Sequence, residues 1–282
     1  MWLLPVFFAL ASASSYSDSL ARYKALPIAA AAYSNNPEEC LSNVFTNASL
    51  VGKYLVDCDL GKGDKCFGFT AVNHNDKMIL IGFRGSSGAA QIVNEVFEAL
   101  GPMVPSDIGG NVSQYFYNAQ TLIWSSGMKD DFIKSKNKYP NYSVLVTGHS
   151  LGGAVASLTA GTIIKMKYAS AENVLLYTLG QPRVGDTAFV KAHDSLVPNS
   201  FRITHNKDIV PHIPPEHFSG YYHHKSEEWY QKEDMGTSAI HVECDSDESN
   251  SCSDGNFFDL SVPDHLHYFN KDVSTYGNNG CK

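Results

Sequence analysis

The sequence has no Cys-x-x-Cys pair, no phosphate-loop pattern and no internal repeat. The first absence excludes the common zinc-knuckle and dithiol redox sites, the second a nucleoside-triphosphate loop, and the third a solenoid or propeller. Beyond the first residues, no apolar run is long enough to cross a bilayer. Charge is also scarce: 18% of residues are Asp, Glu, Lys or Arg, and acids outnumber bases to give a formal −8. That balance argues against nucleic acid or anionic headgroups as electrostatic partners, so any membrane contact is expected to be apolar. His212, His217, His223 and His224 cluster without standard ligand spacing, and no metal is expected there. What is present, 282 residues with 43% hydrophobic content, is enough for one globular domain with a large core, expected over residues 14–282.

The chain opens with an apolar run too short to span (Trp2, Leu3, Leu4, Val6, Phe7, Phe8, Leu10), followed by Ala11-Ser12-Ala13. Residues 1–13 therefore read as a signal peptide, although no Lys or Arg precedes the apolar run. Sequons at Asn47, Asn111 and Asn141 fit passage through the secretory route. Six cysteines suit three disulfides in an oxidising compartment. Cys58 with Cys66, and Cys244 with Cys252, flank short polar loops that a bridge could close. Cys40 and Cys281 remain, and joining them would constrain nearly the whole chain.

Short apolar strands alternate with longer helical patterns, the signature of an α/β fold. Residues 66–73 and 78–84 read as a hairpin, and 114–138 as a helix interrupted near Gly127. The strand pattern at 144–147 leads into Gly148-His149-Ser150-Leu151-Gly152-Gly153, and a small-residue helix follows. Strand, Gly-x-Ser-x-Gly and helix in that order form a nucleophile elbow. The turn is too sharp for ordinary side chains beside the serine, and glycine relieves the crowding.

A serine hydroxyl needs a histidine to take its proton and a carboxylate to fix that histidine's tautomer. In the chain order Ser, acid, His, the best carboxylate is Asp208, just past the strand pattern at 201–204; Asp186 and Asp194 sit in polar, helical surroundings. Two late histidines, His265 and His267, are equally placed by chemistry alone.

Several ordered motifs together resemble the class 3 lipases, the family of secreted fungal triacylglycerol lipases: the elbow, Phe83-Arg84-Gly85-Ser86, Gly180-Gln181-Pro182-Arg183-Val184-Gly185, Arg202 to Pro211, and His265-Leu266-His267-Tyr268-Phe269. The resemblance implies an α/β-hydrolase fold, a central mostly parallel sheet flanked by helices with a lid helix, and it selects His265 over His267. It also implies a bridge between the first and last cysteines. The oxyanion donors would be the backbone N–H of Leu151, which follows from the elbow itself, and Ser86, by similarity.

Ile92, Val93, Val96, Phe97 and Leu100 recur at helical spacing, with Asn94, Glu95 and Glu98 opposite. In the resembled family this segment, from Ala89 onward, is the lid over the serine; the tryptophan usual in fungal lids is absent here. The expected activity is secreted serine ester hydrolysis, foremost of triacylglycerol at an oil–water or membrane interface, with no cofactor. Phospholipids, feruloyl esters, or silent lipid binding on the same fold are the alternatives. Secretion is expected to the outside or to a lysosomal or vesicular lumen.

Overall fold

The computed structural model describes residues 14–58, 65–86, 101–216, 218–256 and 260–282. Its centre is a sheet of eight strands whose spatial order follows the chain: β1 (Ala48–Asp57), β2 (Lys65–Asn73), β3 (Met78–Phe83), β4 (Ser143–His149), β5 (Val174–Leu179), β6 (Ser200–His205), β7 (Glu227–Tyr230) and β8 (Val242–Cys244). Strands β3 to β7 run parallel, while β1, β2 and β8 add antiparallel edges. The hairpin read from the sequence is β2 and β3, joined through the turn after Asn73.

Strands β3, β4 and β5 are largely apolar at successive residues because both faces are covered. Ile79, Ile81, Phe83, Val144, Val146 and Leu176 belong to a core on one face; Leu80, Leu145, Tyr177 and Leu179, the alternate residues, belong to the core on the other. Against the second core lies α1 (Leu26–Ala31), and against the first lie α2 (Gln114–Ile123) and α3 (Leu151–Lys165). Helix α3 is mostly Gly, Ala, Val, Leu and Ile with little amphipathic contrast, and nearly all of it is buried. The long helix expected over 114–138 is broken where expected: Gly127 sits at φ 132° inside a π-turn between two straight segments.

Three disulfides join Cys40 to Cys281, Cys58 to Cys66 and Cys244 to Cys252. The first binds two ends of the chain separated by 241 residues. The sequon residues Asn47, Asn111 and Asn141 are all exposed. Among the described residues, no helix is long and apolar enough to cross a membrane. The proposed signal peptide (1–13) and the lid positions Ala89, Ile92, Val93, Val96 and Phe97 lie outside the described residues.

Candidate active site

Strand β4 delivers Ser150 directly onto the N-terminus of α3, and the serine takes φ 60°, ψ −132°. A non-glycine residue in that region is strained, and here the crowded turn holds it. The crowding is measurable: a Cβ on Gly148 would collide with the backbone of Gly152, and one on Gly152 would collide with the backbone of Phe83 and Arg84. Glycine at both positions lets β3, β4 and α3 meet, which is the physical content of the Gly-x-Ser-x-Gly spacing.

Asp208 and His265 arrive from two loops that are tied together. Asp208 follows β6 by three residues, and Ser261 bonds across to it: Ser261 N–H donates to Lys207 O at 2.7 Å and Ile209 N–H to Ser261 O at 3.3 Å. The Ser261 hydroxyl then caps a short helix, α4 (Val262–Leu266), by accepting from Asp264 N–H at 3.1 Å. That helix places His265 against Asp208, with Nδ1 2.9 Å from both carboxylate oxygens. The Tyr268 hydroxyl donates to Asp208 Oδ2 at 2.5 Å and Val210 N–H donates to Oδ1 at 2.8 Å. Burial alone would push the Asp208 carboxyl up, but the facing His265 ring and these donors outweigh it and hold it below the usual carboxylate range. Tyr268, buried beside that carboxylate, is held well above the usual phenol range.

Gly180, at the end of β5, explains one more motif. It sits at φ +58°, and a Cβ there would lie 2.7 Å from Asp208 Oδ2 and 2.9 Å from His265 Nδ1, so only glycine leaves room for the pair.

Ser150 and His265 are fully buried. Among the described residues, Ser150 Oγ, His265 Nε2 and Ser86 Oγ have no hydrogen-bond partner, so three of the buried polar atoms left open belong to the expected machinery. Ser86 is held near the elbow by Gly85, whose missing side chain would come within 2.6 Å of His149 O and 2.9 Å of Ser150 Cβ. Leu151 N–H, at the start of α3, has no intrahelical acceptor and faces a helix N-terminus that favours negative charge.

Sequence reasoning missed His149. Its ring stacks on that of His265 with centroids 4.5 Å apart. Nε2 lies 2.8 Å from His265 O and Nδ1 lies 2.7 Å from the Tyr33 hydroxyl. Since a carbonyl only accepts, Nε2 carries the proton and Nδ1 accepts from Tyr33. Burial, helped by the neighbouring His265, pushes His149 down to about 3, so it stays neutral beside a ring that must become charged during turnover. Its place inside the elbow hexapeptide was the available signal. His267 is exposed, and its Nδ1 donates locally to Pro263 O at 2.9 Å. Asp186 caps the helix Thr187–Leu196 through Phe189 N–H at 2.8 Å, and half-buried Asp194 lies in that helix and accepts from Lys225 N–H at 3.2 Å.

Of the four histidines at 212–224, His217 lies outside the described residues, and the other three have separate partners. Buried His223 donates through Nε2 to Pro211 O, and buried His224 stacks on His193 with centroids 3.9 Å apart, Ser157 Oγ lying 3.1 and 3.0 Å from the Nε2 atoms of His193 and His224. Arg183 is paired with Glu248 and Asp254, tying the Cys244–Cys252 loop to the segment after Gly180.

Residues 80–218 match the family model described as Lipase (class 3). A lipase of Caenorhabditis elegans is 33% identical over 300 aligned residues, covering 95% of this chain and 83% of the relative. The Rhizomucor miehei lipase is 36% identical over 197 residues, covering 69% of this chain and 53% of that protein, so the match spans about half of the fungal relative's length. Among solved structures, a triacylglycerol lipase described as having a serine protease triad as its catalytic centre superposes with a TM-score of 0.77 at 28% identity, covering 91% of this chain and 95% of that one.

Proposed function

The chain belongs to the class 3 lipase family, and from that premise we propose that it is a secreted triacylglycerol lipase working through Ser150, His265 and Asp208. Carboxylic ester hydrolysis is the chemistry of the family, and the observation that carries the assignment of residues is the Asp208–His265 pair beside the strained Ser150 elbow. Ser150 Oγ attacks the ester carbonyl carbon while His265 Nε2 takes its proton. The oxyanion that forms accepts from Leu151 N–H and Ser86 N–H. Collapse breaks the bond to the alcohol, which leaves with the proton from His265, and water repeats the sequence on the acyl-enzyme to release the fatty acid. Asp208 stays ionised throughout and stabilises the His265 imidazolium.

Because Ser150 is buried, substrate needs an opening movement, and we assign it to the amphipathic segment from Ala89 to Leu100 on its sequence pattern. Three disulfides and exposed sequons support a secreted protein. The test is the initial rate on a short-chain triacylglycerol as its concentration crosses the solubility limit, with stoichiometric fluorophosphonate labelling of Ser150 in parallel. A jump in rate above the limit with label on Ser150 is expected. Label on Ser150 with a smooth saturating curve would retain the triad and replace the lipase reading with that of an open esterase on phospholipid or feruloyl substrates.

A further inference from the structure

His205 closes strand β6 and is buried, yet it takes no part in the reaction sequence above. Both of its ring nitrogens meet backbone carbonyls: Nδ1 lies 2.9 Å from Asp264 O and Nε2 lies 3.0 Å from Glu233 O. A carbonyl oxygen can only accept. Neutral imidazole has one N–H, so one of the two contacts would set lone pair against lone pair, whereas imidazolium donates to both. The charged ring is therefore the form that fits.

The surroundings supply the counter-charge. His205 lines a cavity of about 610 Å³ together with Lys232, Glu233, Asp234, Asp264 and His267. Glu233, Asp234 and Asp264 bring three carboxylates to that cavity against Lys232, and exposed His267 is the other titratable ring. The Asp264 carboxylate itself accepts from Asn206 Nδ2 at 3.0 Å and Lys207 N–H at 3.1 Å. Facing the ring from the other side is Tyr268, edge-on with centroids 5.8 Å apart, whose hydroxyl bonds Asp208.

His205 thus touches the active site from three directions. Its ring holds the carbonyl of the residue preceding His265, its ring edge packs on the tyrosine that donates to Asp208, and its own carbonyl accepts from Asp208 N–H at 2.8 Å. We propose that His205 is a positioning residue whose doubly protonated ring pins the Asp264–His265 segment to the Glu233 loop, making hydrolysis dependent on that proton. This rests on His265 as the base. Loss of the proton at higher pH leaves one carbonyl facing a lone pair, the segment loosens, and His265 leaves its alignment. The sign is opposite to that of His265, which must be neutral to act. His265 therefore sets the acid limb of the pH profile and His205 the alkaline limb.

The experiment has two readouts. The first is kcat/KM against pH on a soluble short-chain p-nitrophenyl ester, for wild type, His205→Asn and His205→Leu. An asparagine amide keeps two N–H donors without titrating. Wild type should lose about tenfold on the alkaline side, the cost of one charge-assisted hydrogen bond. His205→Asn should stay within about threefold at the optimum and lose the alkaline limb, while His205→Leu should lose about tenfold in kcat with little change in KM. An alkaline limb unchanged in His205→Asn overturns the proposal. The second readout is ¹⁵N NMR of the histidine rings in the wild-type protein, with the His205 signal assigned through its ring-to-backbone correlations. Both nitrogens protonated at pH 6.5 is the expected result, and one bare nitrogen at pH 5 overturns the proposal whether or not the variants fold. That signal does not depend on turnover. Appreciable activity in Ser150→Ala would sink the triad reading while leaving the charge state of His205 as measured.

Discussion

Replacing Asp208 with asparagine changes a carboxylate that accepts from three donors into a group with one acceptor oxygen and one NH2 donor. In the native site His265 Nδ1 is 2.9 Å from each carboxylate oxygen, Tyr268 O–H points at Oδ2 and Val210 N–H at Oδ1. With the amide oxygen kept on Val210, the NH2 faces both Tyr268 and His265 Nδ1. At that distance it donates to Nδ1 as readily as the oxygen accepted from it. The ring then carries its proton on Nε2, towards the serine, where it cannot act as a base. The variant also loses the negative charge that stabilises the imidazolium. Together these should lower kcat by on the order of 10⁴, the loss seen when a triad aspartate becomes asparagine, or about 5.5 kcal/mol of barrier. The fold should survive, because the change is isosteric and the Val210 N–H keeps its oxygen partner. The assay is titrimetric release of fatty acid from emulsified tributyrin, with thermal melting as a check on folding. Asp186→Asn is the control: asparagine caps a helix as well as aspartate does, and activity should not change. A loss below about tenfold at Asp208, or a larger loss at Asp186, would refute the assignment of the carboxylate.

Three further outcomes follow from other parts of the molecule. Tyr268→Phe removes one of the donors to Asp208 and should cost about tenfold in kcat with KM little changed, read on the same substrate. Breaking the Cys40–Cys281 bridge by Cys40→Ser and Cys281→Ser should cost about 5 kcal/mol in denaturant unfolding, against about 2.5 kcal/mol for the Cys58–Cys66 bridge, because the freed loops span 241 and 8 residues. Glu228 is buried, and that burial, with Glu243 and Glu227 alongside, pushes its carboxyl up to about 8. A carboxyl raised in the folded state costs stability as pH climbs from its unfolded value of about 4.5 towards 8. Glu228→Gln should therefore raise the melting temperature at pH 8 by about 3 °C or more and leave it unchanged at pH 4; the reverse pattern would contradict the assigned direction.

The sequence carried the parts of this site that depend on spacing. Gly148, Ser150 and Gly152 could be read because the elbow's crowding permits few residue types, and β4 and β5 because strands covered on both faces carry apolar runs. The break at Gly127 was legible for the same local reason. Spacing and chemistry alone did not choose His265 over His267, and the choice came from the family resemblance: the two are two residues apart, and what separates them is that α4 turns one towards Asp208 and the other to solvent. His149, Tyr268 and His205 were missed because their roles arise where strand ends and loops far apart in the chain converge. A ring stacked on His265, a hydroxyl on Asp208 and an imidazole between two carbonyls leave no periodic trace. Gly180 left a signal, a glycine at a strand end within a motif, whose meaning appears only once the carboxylate and the ring are seen in the space a Cβ would take.

The central claim is that ester hydrolysis runs through Ser150, and the most direct measurement is the turnover of Ser150→Ala on a short-chain triacylglycerol beside the wild-type protein. Alanine fits the same turn without a nucleophile, so the account predicts an unchanged melting temperature and a loss on the order of 10⁶ in kcat. A folded Ser150→Ala protein that retains even about a hundredth of wild-type turnover would contradict it.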